Sequence, residues 1–188
     1  MQDWFFFGYG SLVNRDTHDY PESRPARLRG WRRRWRHTRL RDLAYLSAER
    51  CKGAEIDGLI AMVPGGDWAA LDARERAYDR VVLTPEEITH DHPKAKRVRI
   101  YRTRAGQDAP PSMRHPILLS YIDTVVAGYH ALFGAEGARA FFATTEGWDA
   151  PVRDDRAAPV YPRAVAPGAA LRRLVDTALD QRGVRRFR

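Results

Sequence analysis

The chain opens with Trp4-Phe5-Phe6-Phe7-Gly8-Tyr9-Gly10-Ser11-Leu12, in which four bulky apolar residues lead directly into a glycine-containing turn. Such a continuous run is typical of a buried strand. It is too short to cross a membrane, and Asp3 precedes it where a signal peptide would carry positive charge. We therefore expect a core strand over 4–7 and, at its end, an exposed loop whose glycines let a small molecule approach the backbone.

Length and composition predict one globular domain. The 188 residues can bury a sizeable core, and we expect a single domain over 1–188, in which 168–188 forms a last helix and a basic tail. The lone Cys51 excludes an intramolecular disulfide and fits a reducing cytoplasm, where we place the protein. The longest apolar segment, 116–133, contains Asp123 and His130, so it indicates an amphipathic helix and no membrane span.

Strand patterns dominate the first half of the chain and helix patterns the second, which predicts an α+β fold. Strands are expected at 4–7, 27–37, 44–50, 55–63, 80–84 and 97–104. Helices are expected at 68–79, 117–133, 135–145 and about 168–182, with Asp67 capping the first and Gly134 ending the second. A proline-rich loop, 147–168, precedes the last helix.

The helix expected after Asp67 places a carboxylate on its bulky apolar face. Trp68, Leu71, Glu75 and Tyr78 fall within one stripe at about 100° per residue. A carboxylate there must either be paired with another group or have a catalytic role. Desolvation would raise its pKa and suit it to act as a general base. The alternative is that an opposite stripe of alanines is buried and Glu75 is a surface residue paired with an arginine. Periodicity leaves both open.

The net charge of +8 comes from one segment, since residues 24–41 hold nine arginines and no carboxylate. We call it the arginine segment. Trp31 and Trp35 lie among these arginines and could stack on bases while the arginines hold phosphates. Tryptophans at even spacing in a strand are more often core residues beside a solvated face. We prefer that interpretation, do not expect nucleic acid as a partner, and allow that some arginines steer an anionic substrate.

Together these features resemble the γ-glutamylcyclotransferase-like family, which includes the ChaC proteins. The resemblance spans roughly residues 4–134. A first strand ends in FGYGSL (7–12), and a glycine-containing strand IDGLIAMV (56–63) precedes LDARERAYDRVVL (71–83). The later segment PILLSYIDTVVAGY (116–129) is similar to a family helix that leads to an Ala-Gly pair. The short interval between Arg74-Glu75 and the next tyrosine is closer to the ChaC pattern than to the longer spacing of other members.

The resemblance implies a small mixed β-barrel with helices packed outside and an enzyme that needs neither a metal nor an organic cofactor. Family members are lyases or acyltransferases that cleave a γ-glutamyl peptide or amine. The substrate's own α-amine attacks its γ-carbonyl, and 5-oxoproline is released. Family correspondence makes Glu75 the proton acceptor, Tyr9-Gly10-Ser11-Leu12 the source of N–H donors, and Tyr121 a substrate-binding residue. Judged from its own helix, Tyr121 could equally be a core aromatic.

Other chemistries have weaker signals. His90-Asp91-His92 lies in a loop between prolines, without a third ligand at a helpful spacing, so we expect no metal site. Ser11 lacks the second glycine of a hydrolase nucleophile elbow, and Cys51 has no histidine nearby in sequence to activate it. A family member that has lost turnover is a further alternative, against which the retained Glu75 argues. Neither the leaving group nor the oligomeric state can be read from the sequence.

Overall fold

The structure, a computed structural model, describes residues 4–39, 42–104, 106 and 108–188. Leu40 and Arg41, the last two residues of the arginine segment, lie outside the described residues. The fold is α+β, as predicted, with a mixed sheet curled into a half-barrel and helices packed against it. Among the described residues, no helix is both long enough and apolar enough to cross a bilayer.

The strands in the described part of the chain are β1 (Trp4–Gly8), β2 (Arg24–Thr38), β3 (Tyr45–Val63), β4 (Tyr78–Val82), β5 (Ile88–Thr89), β6 (Arg97–Thr103), β7 (Asp108–Ala109), β8 (Ile117–Leu118), β9 (Thr145–Glu146), β10 (Val152–Arg153) and β11 (Arg186–Phe187). The α-helices there are α1 (Ala69–Arg74), α2 (Leu119–Ala143) and α3 (Ala169–Asp180).

The first strand lies in the middle of the main sheet. The order of that sheet is β4-β6-β1-β3-β2-β5, and β1 pairs antiparallel with β3 and parallel with β6. Phe5, Phe6 and Phe7 are at most 1% exposed, which explains why the strand is apolar on both faces. A smaller sheet, β11-β10-β8, includes Arg186–Phe187 of the basic tail.

The two longest strands, β2 and β3, form a hairpin. In β2 the side chains of Trp31, Arg33 and Trp35 are buried, so the two tryptophans are core residues, whereas His37, expected on the same face, is only half-buried and Thr38 is buried instead. The expectation of two separate strands at 44–50 and 55–63 is wrong, because β3 is continuous. Its register with β2 shifts opposite Gly30, however, and this irregularity lies at the exposed, polar break that the sequence suggested.

The helix α1 is shorter than predicted. It ends at Arg74, because Tyr78 already pairs with Thr103 of β6, and the hydrogen bonds of the sheet replace those of a longer helix. Trp68 and Leu71 are buried. Three residues of the alternative alanine stripe are exposed: Ala69, Ala70 and Ala73. The bulky face therefore packs inward, although Glu75 lies in the turn after α1 instead of within the helix.

The helix α2 carries the segment that contains Tyr121. It begins at Leu119 because Ile117–Leu118 pairs with β10 in the small sheet. Gly134 adopts φ 67° and ψ −165°, which breaks the helix where a stop was predicted, and helical structure resumes on the far side to Ala143. The last helix, α3, is confirmed slightly shorter than expected.

Candidate active site

The turn that follows β1 is held in one conformation by its neighbours. Ser11–Val13 forms a single turn of 3₁₀ helix, and the Val13 amide donates to the Gly10 carbonyl oxygen at 2.9 Å. The Asn14 side-chain amide donates to the Thr124 carbonyl oxygen of α2 at 2.8 Å. A Cβ on Gly128 would lie 2.7 Å from the Asn14 backbone, so the Ala-Gly pair allows α2 to approach this turn closely.

Glu75 follows α1 and faces the same turn. Its backbone N–H donates to the Leu71 carbonyl oxygen at 2.9 Å, and its own carbonyl oxygen accepts from the Tyr78 amide at 2.9 Å. These bonds hold the residue between a helix and a strand. The Glu75 side chain is 15% exposed, which places the carboxylate in a partly desolvated position.

The turn and Glu75 line one hollow of about 310 Å³, part of which is open to solvent. We call it the inner hollow. Its wall contains Tyr9-Gly10-Ser11-Leu12, Glu75 and Tyr121, which are the residues that the sequence analysis selected. The remaining lining comes from five further residues, Phe7, Gly8, Leu46, Tyr78 and Tyr101.

Two of the selected tyrosines contribute in different ways. The Tyr9 hydroxyl is turned into the core, where it donates to the Tyr101 carbonyl oxygen at 2.6 Å and accepts from the Ala48 amide at 3.1 Å. The Tyr121 hydroxyl lies against the turn, beside Gly10. A Cβ on Gly10 would lie 2.7 Å from that hydroxyl oxygen, so glycine is required there for Tyr121 to reach the turn.

The tyrosines of the site remain protonated over the ordinary pH range. Burial raises the pKa of Tyr121, and the nearby Tyr161 and Glu75 act in the same direction. Burial also raises the pKa of Tyr78, whose hydroxyl donates to the Leu46 carbonyl oxygen at 2.7 Å. These phenols can therefore donate and accept hydrogen bonds but do not act as bases near neutral pH.

Arg74 connects the turn to the carboxylate. Its Nε lies 3.2 Å from Glu75 Oε1, and its Nη2 donates to Ser11 Oγ at 3.3 Å. The same guanidinium donates to the Thr17 carbonyl oxygen at 2.9 Å and to Thr17 Oγ1 at 3.2 Å. Arg74 therefore contacts both the carboxylate and the turn.

Beside the inner hollow lies a wider space of about 850 Å³, partly open to solvent, which we call the outer recess. The two share Ser11, Glu75, Tyr78 and Tyr121. The outer recess adds seven residues: Tyr45, Ala73, Arg74, Arg76, Tyr161, Pro162 and Arg163. The two spaces therefore adjoin each other at Glu75.

Although Trp35 packs against Tyr121, no arginine of the described part of the arginine segment lines the inner hollow or the outer recess, and most of these arginines contact carboxylates of the same chain. Glu49 accepts from Arg32 at 2.6 Å and lies 3.3 Å from Arg34, while Glu146 pairs with both. The remaining pairs in the described part of the segment are Arg24 with Asp91, Arg27 with Asp57 and Glu55, Arg29 with Glu55, and Arg36 with Glu49 and Asp108. Carboxylates from other parts of the chain thus neutralise most of the positive charge of the segment.

The side chains considered for a metal site or a nucleophile contact neighbouring residues of the same chain. His92 lies 3.3 Å from Glu22, and its ring packs against Phe5. Over residues 4–39, 42–104, 106 and 108–188, no three His, Cys, Asp or Glu side chains are grouped to hold a metal ion. Ser11 Oγ accepts from Arg74.

Several residues of the site were not selected from the sequence. Tyr78 was noted only as a member of the apolar stripe, and Arg74 only as a neighbour of Glu75. Tyr161 and Arg163 carried no signal, because they lie in the proline-rich loop, whose position against α1 depends on the fold alone.

Comparisons with known proteins show which solved structures have a similar fold. Neither a protein family nor a curated protein matches the chain by sequence. A solved γ-glutamyl cyclotransferase superposes with a TM-score of 0.58 at 15% identity, covering 94% of this chain and 99% of its own. An uncharacterized protein from Homo sapiens gives 0.59 at 15% identity over the same shares. YkqA from Bacillus subtilis gives 0.59 at 15% identity, covering 78% of this chain and 57% of its own.

The chain therefore has the γ-glutamyl cyclotransferase fold, and the resemblance inferred from the sequence is confirmed at the level of the fold.

Proposed function

We propose that the protein is a γ-glutamylcyclotransferase that converts a γ-glutamyl peptide or amine into 5-oxoproline and a free amine. One observation carries this proposal, namely that the Glu75 carboxylate and the turn Tyr9-Gly10-Ser11-Leu12 line the same hollow. The reaction needs a base and a row of hydrogen-bond donors, separated by a distance that one small substrate can span. The fold shared with a solved γ-glutamyl cyclotransferase supports it.

In the proposed mechanism, the inner hollow folds the γ-glutamyl chain so that its α-amine meets its γ-carbonyl carbon. This converts the attack into a reaction between groups already in contact. Glu75 takes a proton from the α-ammonium group, because only the free amine is a nucleophile. A bond then forms between the α-nitrogen and the γ-carbon, and the α-nitrogen gives up a second proton as the original amide C–N bond breaks. The two protons end on the departing amine, which leaves in its ammonium form.

Hydrogen-bond donors at the turn would bind the charged oxygens of the substrate. The turn Tyr9-Gly10-Ser11-Leu12 lines the hollow, and its backbone N–H groups would suit the α-carboxylate or the oxyanion that develops on the γ-carbonyl. The Tyr121 hydroxyl lies beside the turn and would donate its hydrogen to a substrate oxygen. Arg74 would hold Glu75 and Ser11 in register through its contacts with both.

The test is to incubate the purified protein with a panel of γ-glutamyl compounds and to detect 5-oxoproline by mass. Glutathione, γ-glutamylalanine and γ-glutamylethylamine differ only in the leaving amine, and α-glutamylalanine is the matched control because its side-chain carboxylate offers no γ-amide to cleave. We expect 5-oxoproline and the free amine in equal amounts from at least one γ-glutamyl compound and none from the control. Cleavage of glutathione alone would favour a ChaC-like specificity, and no product from any would overturn the proposal.

A further inference from the structure

The proline-rich loop between β10 and α3 brings a second set of side chains to the site. Tyr161, Pro162 and Arg163 line the outer recess together with Glu75 and Arg76. In the reaction proposed above, the γ-glutamyl group occupies the inner hollow, so the amine that leaves must project into this recess.

The loop is fixed to α2 before it reaches the recess. The Asp155 carboxylate, 5% exposed, accepts from the Ser120 amide at 2.8 Å and from the Ser120 hydroxyl at 2.6 Å. Arg156 donates to both oxygens of the buried Asp123, at 2.7 Å and 2.8 Å. Buried, charge-assisted hydrogen bonds of this kind determine the position of the segment that follows.

The loop is fixed again at and after the recess. The Tyr161 ring meets the Tyr121 ring edge to face, with centroids 4.9 Å apart. The Ala164 amide donates to the Tyr161 carbonyl oxygen at 3.1 Å, and the Val165 amide donates to the buried Thr124 hydroxyl at 3.0 Å. The segment around Arg163 is therefore held on both sides, even though the Arg163 side chain itself is exposed.

The outer recess has more positive than negative charge. Glu75 supplies its one carboxylate among the described lining residues, and Arg74 already contacts Glu75. Arg76 and Arg163 are exposed, and within the described residues neither forms an ion pair. Two cations without internal partners thus face the place where the leaving amine would lie.

We propose that Arg76 and the segment Tyr161-Pro162-Arg163 form a leaving-group subsite that selects γ-glutamyl compounds whose released amine carries a carboxylate, as amino acids and small peptides do. This inference rests on the function proposed for the inner hollow. A guanidinium binds a carboxylate through two parallel hydrogen bonds, and the aromatic ring of Tyr161 limits where the substrate can lie.

The experiment compares γ-glutamylalanine with γ-glutamylalaninamide, which has nearly the same size but no carboxylate. For the wild-type protein we expect kcat/KM to be about tenfold higher for the acid, mainly through KM. Arg163→Gln should bring the acid-to-amide ratio close to one, and Arg163→Lys should restore part of it. The matched control is Arg173→Gln on α3, an exposed arginine outside the recess, which should keep the wild-type ratio.

A charge reversal sharpens the result. Arg163→Glu should invert the preference, so that a γ-glutamyl diamine with a cationic leaving group becomes a better substrate than γ-glutamylalanine. Equal turnover of acid and amide by the wild-type protein would overturn the subsite while leaving the proposed reaction standing. Absence of 5-oxoproline from every compound would overturn the proposed reaction, and the subsite with it.

Discussion

The arginines of the hairpin and those of the outer recess differ in what surrounds them. In the hairpin, Arg32 and Arg34 share the carboxylates of Glu49 and Glu146. In the recess, Arg76 and Arg163 have no carboxylate of their own within the described residues. The dense cluster in the sequence is therefore mostly paired within the molecule, whereas two arginines far apart in the chain line the same recess as Glu75 and are exposed.

This difference shows why charge along a sequence is a weak guide to partners. An arginine attracts an anionic ligand only where the fold leaves it without a carboxylate, and pairing depends on which strands become neighbours. The same strand adds a second contrast, because Arg33 points into the core while Arg34 points outward. Substitutions of Arg33, Arg34 and Glu75 test whether the surroundings of each residue predict its contribution to stability or to activity.

The largest effect is expected at Glu75. Glu75→Gln keeps the shape of the side chain but removes the base, so 5-oxoproline formation should fall by about 10²–10⁴-fold while the far-ultraviolet circular dichroism stays unchanged. The matched control is Glu136→Gln on α2, whose side chain is 87% exposed and distant from the site in its contacts. Normal turnover by Glu75→Gln would show that another group takes the proton.

The next effect is on stability and concerns Arg33. Its guanidinium donates to the Thr145 hydroxyl at 3.0 Å and to the Asp57 carbonyl oxygen at 3.0 Å, and it lies over the rings of Tyr129 and Phe141. Arg33→Ala should lower the free energy of unfolding by about 3 kcal/mol in a urea titration, because it leaves a cavity and unpaired acceptors. A loss below about 1 kcal/mol would mean that the buried guanidinium contributes little net stability.

Arg34 provides the matched control on the outer face of the same strand. Arg34→Ala should lower the free energy of unfolding by less than about 1 kcal/mol, because exposed ion pairs contribute little and Arg32 continues to neutralise Glu49 and Glu146. Its rate of 5-oxoproline formation should equal that of the wild type. Equal losses of stability for Arg33→Ala and Arg34→Ala would remove the distinction between the two faces.

The smallest expected effect is on the pH dependence of stability. Burial lowers the pKa of His18, and Arg74 acts in the same direction. The unfolded chain then binds more protons than the folded one below the ordinary histidine pKa. The free energy of unfolding should therefore fall on going from about pH 7.5 to about pH 5.5. His37 and His90 shift in the same direction through burial.

His18→Gln separates this histidine from the other two. The ring contacts the Leu12 carbonyl oxygen at 3.1 Å and accepts from the Tyr20 amide at 3.2 Å, and a glutamine side chain can offer both kinds of hydrogen bond. The variant should show a shallower decline in urea titrations at the two pH values. An unchanged decline would assign the effect to other groups.

The sequence predicted best the elements whose pattern is set by burial. The run Trp4–Gly8 forms a central strand and is apolar on both faces, and the alternation around Trp31 and Trp35 follows the two faces of β2. The helix containing Tyr121 was found because its apolar spacing is regular. In each case the local pattern and the tertiary environment agree.

The sequence did not predict the parts of the structure that depend on contacts between residues far apart in the chain. The stretch after Leu71 has helical spacing, but pairing of Tyr78 with Thr103 ends α1 and places Glu75 in a turn. The residues of the inner hollow could be selected through family motifs, whereas Arg163 could not. Its position depends on buried contacts of the loop with α2, such as the bond from Ser120 to Asp155, which no local pattern indicates.

The most direct test of the account is a crystal structure of the Glu75→Gln variant with γ-glutamylalanine bound, since loss of the base should trap the substrate. We predict that the substrate's α-nitrogen lies about 3 Å from the amide group introduced at position 75 and that an oxygen of its γ-glutamyl group accepts from an amide of the turn 9–12. A γ-glutamyl group bound outside the inner hollow, or one whose α-nitrogen points away from position 75, would contradict the account.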